Sequence, residues 1–426
     1  MLTPDATAAL GARRPVHSTR IDGCRSCGSA GLAPVLDLGP VPLANRLLRR
    51  EELELPEPRV PLELVVCSTC GLAQINETVD PAVLFRQYPY CSSFSDEVLE
   101  HSRRHVEDLL RTRRLGPESL VLEIASNDGY LLQYFVAAGV PVLGVEPALN
   151  VAEIARQRGV PTRMDFFDRG CAEALRRDGF VPDVILGNNV LAHVADLGGF
   201  VDGVSTLLGP KAIAHFEFPY VRNLVEDVQF DTIYHEHLCY FSGHALEHLF
   251  ARHGLVFTDV QRVPIHGGSL RATVARAPIA GGRQRVEALL QEERRCGMCE
   301  VAYYRQLTAR VERLKNDLLA LLGELKRDGC RLAAYGASAK GAVLTNSFGI
   351  GRDLLEYVVD RSTVKQGWYT AGTHLEIRPT STLVEDRPDY ALMLAWNFAS
   401  EIIAQQSEYL ERGGHFIVPI PDVRIV

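Results

Sequence analysis

Twice in 426 residues, the sequence runs from an apolar, β-branched stretch through a turn of small residues into an amphipathic helix. The first instance, from Leu120, is LVLEIASNDGYLLQYF; the second, from Arg331, is RLAAYGASAKGAVLTNSFG. A strand that feeds a helix through a tight turn opens a doubly wound parallel sheet. Each instance is followed by a strand ending in a carboxylate: PVLGVEP stops at Glu146 and LLEYVVDRS at Asp360. A third strand follows in each case, DVILGNNVLAH ending at Asn188 and Asn189, and DYALMLAWN ending at Trp396 and Asn397. The chain is too long for one core. The expected class is therefore α/β, with two doubly wound units and the charged, helical stretch 281–328 connecting them.

Ahead of the first unit stand two short knuckles, CRSCG at 24–28 and CSTCG at 67–71. Each CxxC turn aims two thiolates at one point, and the glycine after it permits a tight turn with positive φ. Four thiolates from Cys24, Cys27, Cys67 and Cys70 complete a tetrahedral Zn²⁺ with no open position, so the expected metal is structural. The competing reading is four unrelated buried cysteines. A third pair, Cys296 and Cys299, sits in the charged stretch EERRCGMCEVAYYRQL without a partner pair, and reads as two thiols one helical turn apart. Ten cysteines with no apolar leader in MLTPDATAALGARRPVHSTR point to reduced thiols and metal ligands rather than disulfides. No apolar run reaches bilayer-spanning length, and a cytoplasmic enzyme is expected. With 45 Lys+Arg against 53 Asp+Glu and a net charge of −8, broad electrostatic binding of nucleic acid is disfavoured.

The first small-residue turn reads E-x-A-x-N-x-G through Glu123, Ala125, Asn127 and Gly129. It fits the S-adenosylmethionine loop of class I methyltransferases better than a pyrophosphate turn, with Ala125 standing where that family has glycine. Glu146 at the second strand end suits two ribose hydroxyls, and Asn188 or Asn189 falls beside the methionine portion. The alternative is that Glu123 and Glu146 are solvated strand-end carboxylates. Downstream, GLVFTDVQRVPIHGGSLRATVARA has two strand-like runs around His266, matching the closing antiparallel pair of a methyltransferase sheet. In the second unit, Ser338 and Lys340 stand beside a helix N-terminus, a combination that suits phosphate; the competing reading is a Rossmann-like fold used only for packing.

Together these motifs resemble one family: the sugar C-methyltransferases of antibiotic deoxysugar pathways, in particular the C-3′-methyltransferases acting on dTDP-linked 4-keto sugars, such as the tetronitrose-pathway enzyme. The likeness also takes in PL-N up to Asn45, YPYCSS at 88–93, NNVLAH, YHEH, HGGSLRAT, GASAKG, KQG and LAWN. It implies a zinc-binding module over 1–80, a methyltransferase core over 81–280, and over 281–426 a connector helix with a Rossmann-like domain that helps hold the nucleotide sugar. Position by position, it implies catalytic roles for Tyr88, His193, Tyr234, Glu236 and His237, with His237 as base. It implies cofactor contacts for Tyr90 and Ser93 and a substrate contact for His266.

The stretch TIYHEHLCYFS, residues 232–242, then has a chemical reading. Methylating a sugar carbon requires a carbanion equivalent, and a neighbouring ketone acidifies that carbon's hydrogen by taking the charge as an enolate. A neutral imidazole removes such a proton near neutral pH. Glu236 would orient and support His237, and Tyr234 would donate to the enolate oxygen; His235 has no role in this reading. HEH spacing lacks the H-E-x-x-H pattern of a zinc hydrolase. Three alternatives stay open: C-5 methylation, an NAD-dependent nucleotide-sugar oxidoreductase, and a binding protein using its knuckles on RNA or protein. Only Arg25 lies within the knuckles, which weighs against the last.

Overall fold

The computed structural model describes residues 16–86, 88, 91–265, 267–279 and 281–426. Tyr90 and His266 lie outside the described residues.

The first unit builds a seven-stranded sheet in the order Val256–Val263, Ser269–Ala275, Ile213–Pro219, Val184–Asn188, Val121–Ile124, Val142–Val145, Thr162–Arg163. The strands from Ile213–Pro219 to Thr162–Arg163 are parallel. VLEI and VLGV are buried at every residue, as expected of parallel strands covered on both faces. Ser269–Ala275 runs antiparallel between Ile213–Pro219 and Val256–Val263. This is the closing pair expected around His266.

The second unit forms a six-stranded sheet in the order Ile377–Arg378, Val358–Val359, Leu332–Tyr335, Tyr390–Met393, His415–Val418, Arg424–Ile425. Only its last strand is antiparallel. That is the doubly wound 3-2-1-4-5-6 order.

The N-terminal residues fold as antiparallel strands. Leu32–Pro42, Arg59–Cys67 and Ala73–Ile75 lie side by side, and the fourth strand of their sheet is Cys239–Tyr240, contributed from within the methyltransferase part. The chain thus threads the stretch after YHEH into the sheet that carries the knuckles.

Two helices, Arg283–Arg295 and Val301–Arg327, form the connector. The second buries Leu307, Val311, Leu314, Leu318 and Leu322, an i, i+3/i+4 apolar stripe. Cys296 and Cys299 are not one turn apart inside a helix: they lie in the link between the two, where Gly297 has φ +77°. A left-handed glycine ends a helix, which is why the charged pattern breaks there. Glu293 is fully buried and accepts from the Gly243 and His244 amides and the Tyr220 hydroxyl, pinning the connector to the core. Among the described residues no helix is long and apolar enough to cross a membrane.

Candidate functional site

The four knuckle sulfurs lie within 4.8 Å of one another. Cys24 and Cys70 Sγ are 3.5 Å apart, Cys27 and Cys67 Sγ 3.6 Å. Around a tetrahedral ion with Zn–S near 2.3 Å, adjacent sulfurs sit about 3.8 Å apart, whereas a disulfide needs about 2.05 Å. The thiols are free, and Gly28 and Gly71 have φ of +75° and +72°, as the knuckle reading requires. The set fits a closed, structural zinc site.

At the C-terminal edge of the first sheet, Glu123 and Glu146 are buried rather than solvated. Burial, with the Glu146 and Asp128 charges nearby, holds the Glu123 carboxyl well above the usual carboxylate range. Burial likewise pushes Glu146 up to about 7, against two backbone hydrogen bonds. Those bonds come from Asn127 N and Ala148 N, both at 2.8 Å. Each oxygen keeps a further lone-pair direction, so the carboxylate is positioned without being saturated. Asn188 Oδ1 is buried without a hydrogen-bond partner among the described residues, and Asn189 is held in left-handed backbone (φ +55°) by the Glu217 carbonyl, 2.6 Å from its N–H. A ribose-sized acceptor pair beside an unsatisfied amide oxygen is a donor set that fits an adenosyl–amino-acid cofactor.

The loop geometry explains its composition. Gly129 has φ +77°, and a Cβ there would meet Val160 Cγ2 at 3.0 Å. Ala125 also has positive φ (+58°), which accounts for glycine being the family's residue there. Left-handed backbone costs an L-residue about 1–2 kcal/mol, and glycine returns about 0.5–1 kcal/mol of that as unfolded-chain entropy. Ala125→Gly is therefore expected to raise unfolding stability by up to about 1 kcal/mol, read as a higher denaturant midpoint at unchanged slope; a lower midpoint would contradict the strain.

Tyr88 and residues 92–93 bond to this loop and its neighbours. Tyr88 exchanges two main-chain bonds with the Asn150 side chain, and Ser92 N–H reaches Asn127 Oδ1 at 2.9 Å. Ser93 donates to Asp128 Oδ2 and accepts from Arg158. Its hydroxyl is thus tied to the pair of buried Asp128 and exposed Arg158 (2.9 Å), a clamp that the sequence reading did not single out.

The stretch TIYHEHLCYFS is the most tightly braced loop of the site. His237 Nδ1 lies 2.9 Å from the Thr232 carbonyl and Nε2 2.7 Å from the Tyr234 hydroxyl. A carbonyl only accepts, so the hydrogen-bond network assigns the proton to Nδ1, and the phenol donates to Nε2. The two rings lie 4.0 Å apart. Burial holds the Tyr234 phenol well above its ordinary range, helped by Tyr88, Glu236, Tyr240 and Asp231 around it. His193 packs edge-on to His237 at 4.8 Å. Its Nδ1–H donates to the Glu236 carbonyl at 2.7 Å, and burial lowers its pKa to about 4. Neutral His193 therefore offers a lone pair at Nε2 and has no further N–H to donate.

One expectation is corrected here. Glu236 does not support His237: its two oxygens take Asn45 Nδ2 at 2.8 and 2.9 Å, and burial raises it to about 7. The orienting acceptor for His237 is a backbone carbonyl. His235, left without a role, has Nε2 at 3.2 and 3.1 Å from the Val60 and Pro61 carbonyls. Asn45, Val60 and Pro61 all belong to the N-terminal strands and turns, so the zinc-bearing part buttresses the loop. A turn explains the split: His237 N–H bonds back to the Tyr234 carbonyl at 2.8 Å, which brings Tyr234 and His237 together and leaves His235 and Glu236 at the turn's centre with other neighbours.

From the other side, Asp231 is fully buried and accepts from Trp396 Nε1 at 2.7 Å. Lys340 Nζ lies 4.7 Å from the Trp396 ring centre. Its pKa is lowered by burial and sustained by Asp231. In the loop before it, several donors are already used. Ala337 N–H goes to Asp360 Oδ2, Ser338 N–H to the Gly336 carbonyl and Gly341 N–H to Ser338 Oγ, and Ser338 Oγ donates to the Leu394 carbonyl. The donors expected for a diphosphate at Ser338 are consumed inside the fold, beside a carboxylate. Asp360, accepting from Ala337 N and Ser362 N, repeats the bonding of Glu146 in the first unit.

The seven-stranded sheet with its closing antiparallel pair, and a cofactor-shaped set of strand ends, define a class I methyltransferase that uses S-adenosylmethionine. Residues 98–260 match the family model described as "Methyltransferase domain", 24–85 match "Putative zinc binding domain", and 264–421 match "C-methyltransferase C-terminal domain". The chain is 37% identical over 409 residues to C-methyltransferase NovU of Streptomyces niveus, covering 95% of this chain and 97% of that protein. The chain belongs to the C-methyltransferase family. A shorter likeness, 28% over 94 residues, links 22% of the chain to 38% of a ubiquinone biosynthesis O-methyltransferase of Bartonella tribocorum. Magnesium protoporphyrin IX methyltransferase of Synechocystis PCC 6803, solved with S-adenosylhomocysteine, is similar at 13% identity and a TM-score of 0.33, covering 42% of this chain and 83% of that one. The oxidoreductase and knuckle-only binding alternatives fall with the family assignment.

Proposed function

We propose that the protein methylates C-3 of a dTDP-linked 4-keto-deoxysugar, with His237 as base. In this reading 1–80 is the zinc-binding module, 81–280 the methyltransferase core and 281–426 the connector and nucleotide-sugar domain. S-adenosylmethionine, when bound over residues 123–129, supplies an electrophilic methyl group. What supports the chemistry is the Tyr234–His237 couple: a neutral imidazole, fixed in one tautomer, hydrogen-bonded to a phenol that stays protonated.

The couple suggests a sequence of proton positions. Without substrate, the Tyr234 proton caps His237 Nε2. A bound ketone offers that hydroxyl a new acceptor. When Tyr234 turns to the ketone oxygen, Nε2 is uncovered. It takes the proton on the α-carbon, and the C–H electron pair moves into the enolate whose oxygen Tyr234 now faces. The enolate carbon would then bond to the methyl carbon as the methyl–sulfur bond breaks, S-adenosylhomocysteine being the leaving group, and the ketone returns. His237, positively charged, is stabilised through Nδ1–H by the Thr232 carbonyl.

Mass spectrometry on a panel of dTDP-4-keto-deoxysugars incubated with S-adenosylmethionine tests the reading. One methyl added at C-3 is expected. Methylation at C-5, or on an oxygen, would overturn the assigned carbon. Glu146→Ala is expected to weaken S-adenosylmethionine binding by roughly 1.5–3 kcal/mol, the contribution of a hydrogen bond to a charged group, in calorimetric titration. Unchanged affinity would remove Glu146 from the ribose.

A further inference from the structure

The C-terminal domain reaches the base's loop through Trp396 and Phe348. Trp396 Nε1–H donates to Asp231 Oδ2 at 2.7 Å, and Lys340 covers the Trp396 ring. Asp231 sits in the short turn Phe230–Thr232, whose last carbonyl accepts from His237 Nδ1. The same turn is fixed by Phe230 stacking on Phe348 of the C-terminal helix Ala339–Phe348, ring centres 4.9 Å apart and 13° from parallel, and by Thr232 Oγ1 donating to the Gln229 carbonyl at 2.7 Å. Two of these three restraints come from the C-terminal domain, and all act on the turn whose last residue orients the imidazole.

We propose that Asp231 is a positioning residue for His237, held by Trp396 and Lys340, so that docking of the C-terminal domain sets the base's orientation and basicity. The inference rests on His237 being the base. It assigns Lys340 to the carboxylate rather than to a diphosphate. That choice follows from the geometry: the cation lies against the indole that binds Asp231, while the loop donors beside Ser338 are already used.

The charge has a direction. The groups around the Tyr234–His237 couple are Tyr88, His193, Glu236, Tyr240 and Asp231, with Lys340 behind Asp231. Burial lifts Asp231 to about 6, and Lys340 and the indole N–H pull it back. When ionised, it favours the imidazolium form and so raises the base's pKa. Removing the charge moves the acid limb of the kcat profile to lower pH, because a weaker base stays neutral further down.

The experiment uses the full-length, zinc-loaded enzyme with S-adenosylmethionine and the best substrate of the panel. Asp231→Asn keeps size and hydrogen bonding but drops the charge; Trp396→Phe keeps the ring but drops the donor; Lys340→Met drops the cation. A misplacement of about 1 Å costs about 100-fold in rate. All three are therefore expected to lower kcat by about 10- to 100-fold with sugar KM within about twofold, and Asp231→Asn and Lys340→Met to shift the acid limb downward. If Lys340→Met instead raises KM with kcat intact, the cation binds substrate and the inference is overturned. Wild-type kcat and pH profiles in Asp231→Asn and Trp396→Phe overturn it too. Should Asp231→Asn not fold, Trp396→Phe decides, since its indole-to-phenyl change leaves the core filled. His237→Asn, measured alongside, separates the layers: if it still exchanges the substrate α-proton at the wild-type rate, the base assignment fails first. If exchange is lost there but the three variants behave as wild type, only the positioning role fails.

Discussion

In His237→Asn, kcat is expected to fall by about 10²–10⁴, the usual contribution of a positioned general base, while S-adenosylmethionine binds as before. Asparagine keeps a polar side chain of similar reach and can still meet Thr232 or Tyr234, so the loop keeps its anchors. What it lacks is a lone pair basic enough to accept a proton from carbon. The sharper measurement is deuterium uptake at the substrate α-carbon in D₂O without a methyl donor. Wild-type enzyme exchanges the proton, and the variant does not. If the variant exchanges normally, His193 is next in line: its Nδ1–H is committed to the Glu236 carbonyl, which leaves Nε2 as a bare acceptor. It is the weaker candidate, because burial keeps its pKa near 4 and so makes it a poor base for a carbon acid. Tyr234→Phe has two opposed effects, uncovering Nε2 while removing the enolate's donor. Its kcat loss should be smaller than that of His237→Asn, with exchange still detectable.

Much of this site was legible because period and punctuation report backbone geometry. VLGV and VILG are unbroken apolar runs and VLEI is interrupted only by Glu123, so their strands had to be covered on both faces, and their polar ends had to cluster at one edge. The knuckles were legible because CxxC-Gly has few other uses. What the sequence did not reveal is which neighbour each polar side chain chooses. Glu236 and His237 are adjacent in the chain, and adjacency suggested partnership; but the chain turns there, His237 N–H bonding back to the Tyr234 carbonyl, and Glu236 goes to Asn45, 191 residues away. Asp231 carried no motif at all and is identified only by Trp396, 165 residues downstream. Ser338 looked like a phosphate ligand because small residues at a helix start look the same whether their amides are free or consumed. Only the position of Asp360 decides that.

These long-range choices have a common result. Glu236 and His235 are held from the N-terminal strands, Asp231 and Phe230 from the C-terminal domain, and His193 comes from the turn after the fourth strand of the first sheet. The imidazole and phenol of the couple bond to each other, and the imidazole to the Thr232 carbonyl, while residues between and beside them are anchored outward. A loop carrying a general base must be rigid to within fractions of an ångström, and a loop by itself is not. Clamping Phe230, Asp231, His235 and Glu236 from two other parts of the chain is how this turn acquires that rigidity.

The metal enters through the same brace. Cys67→Ser is expected to lose zinc, and with it nearly all methyl transfer, although no knuckle residue bonds to the couple. Structural zinc is worth about 10–16 kcal/mol in zinc-finger peptides, comparable to the whole stability of a typical domain, about 5–15 kcal/mol. The N-terminal strands form a thin antiparallel layer whose knuckles sit at the turns before Leu32–Pro42 and after Arg59–Cys67, and they have little core of their own. Without the ion, that layer should open. The Asn45 bonds to Glu236, the Val60 and Pro61 carbonyls for His235, and the pairing of Cys239–Tyr240 with Ala73–Ile75 are then lost together. The loop is released at 235, 236 and 239, on both sides of His237. The S-adenosylmethionine loop bonds to itself, Glu146 and Ser92, so cofactor binding should outlast catalysis. Metal analysis, calorimetric titration with S-adenosylmethionine, and amide exchange over 59–75 and 230–241 check this on one preparation. The expected pattern is zinc absent, cofactor bound, both amide stretches unprotected and kcat down at least as far as in His237→Asn. A zinc-free variant with protected 230–241 amides and wild-type turnover would show that the brace stands without the ion.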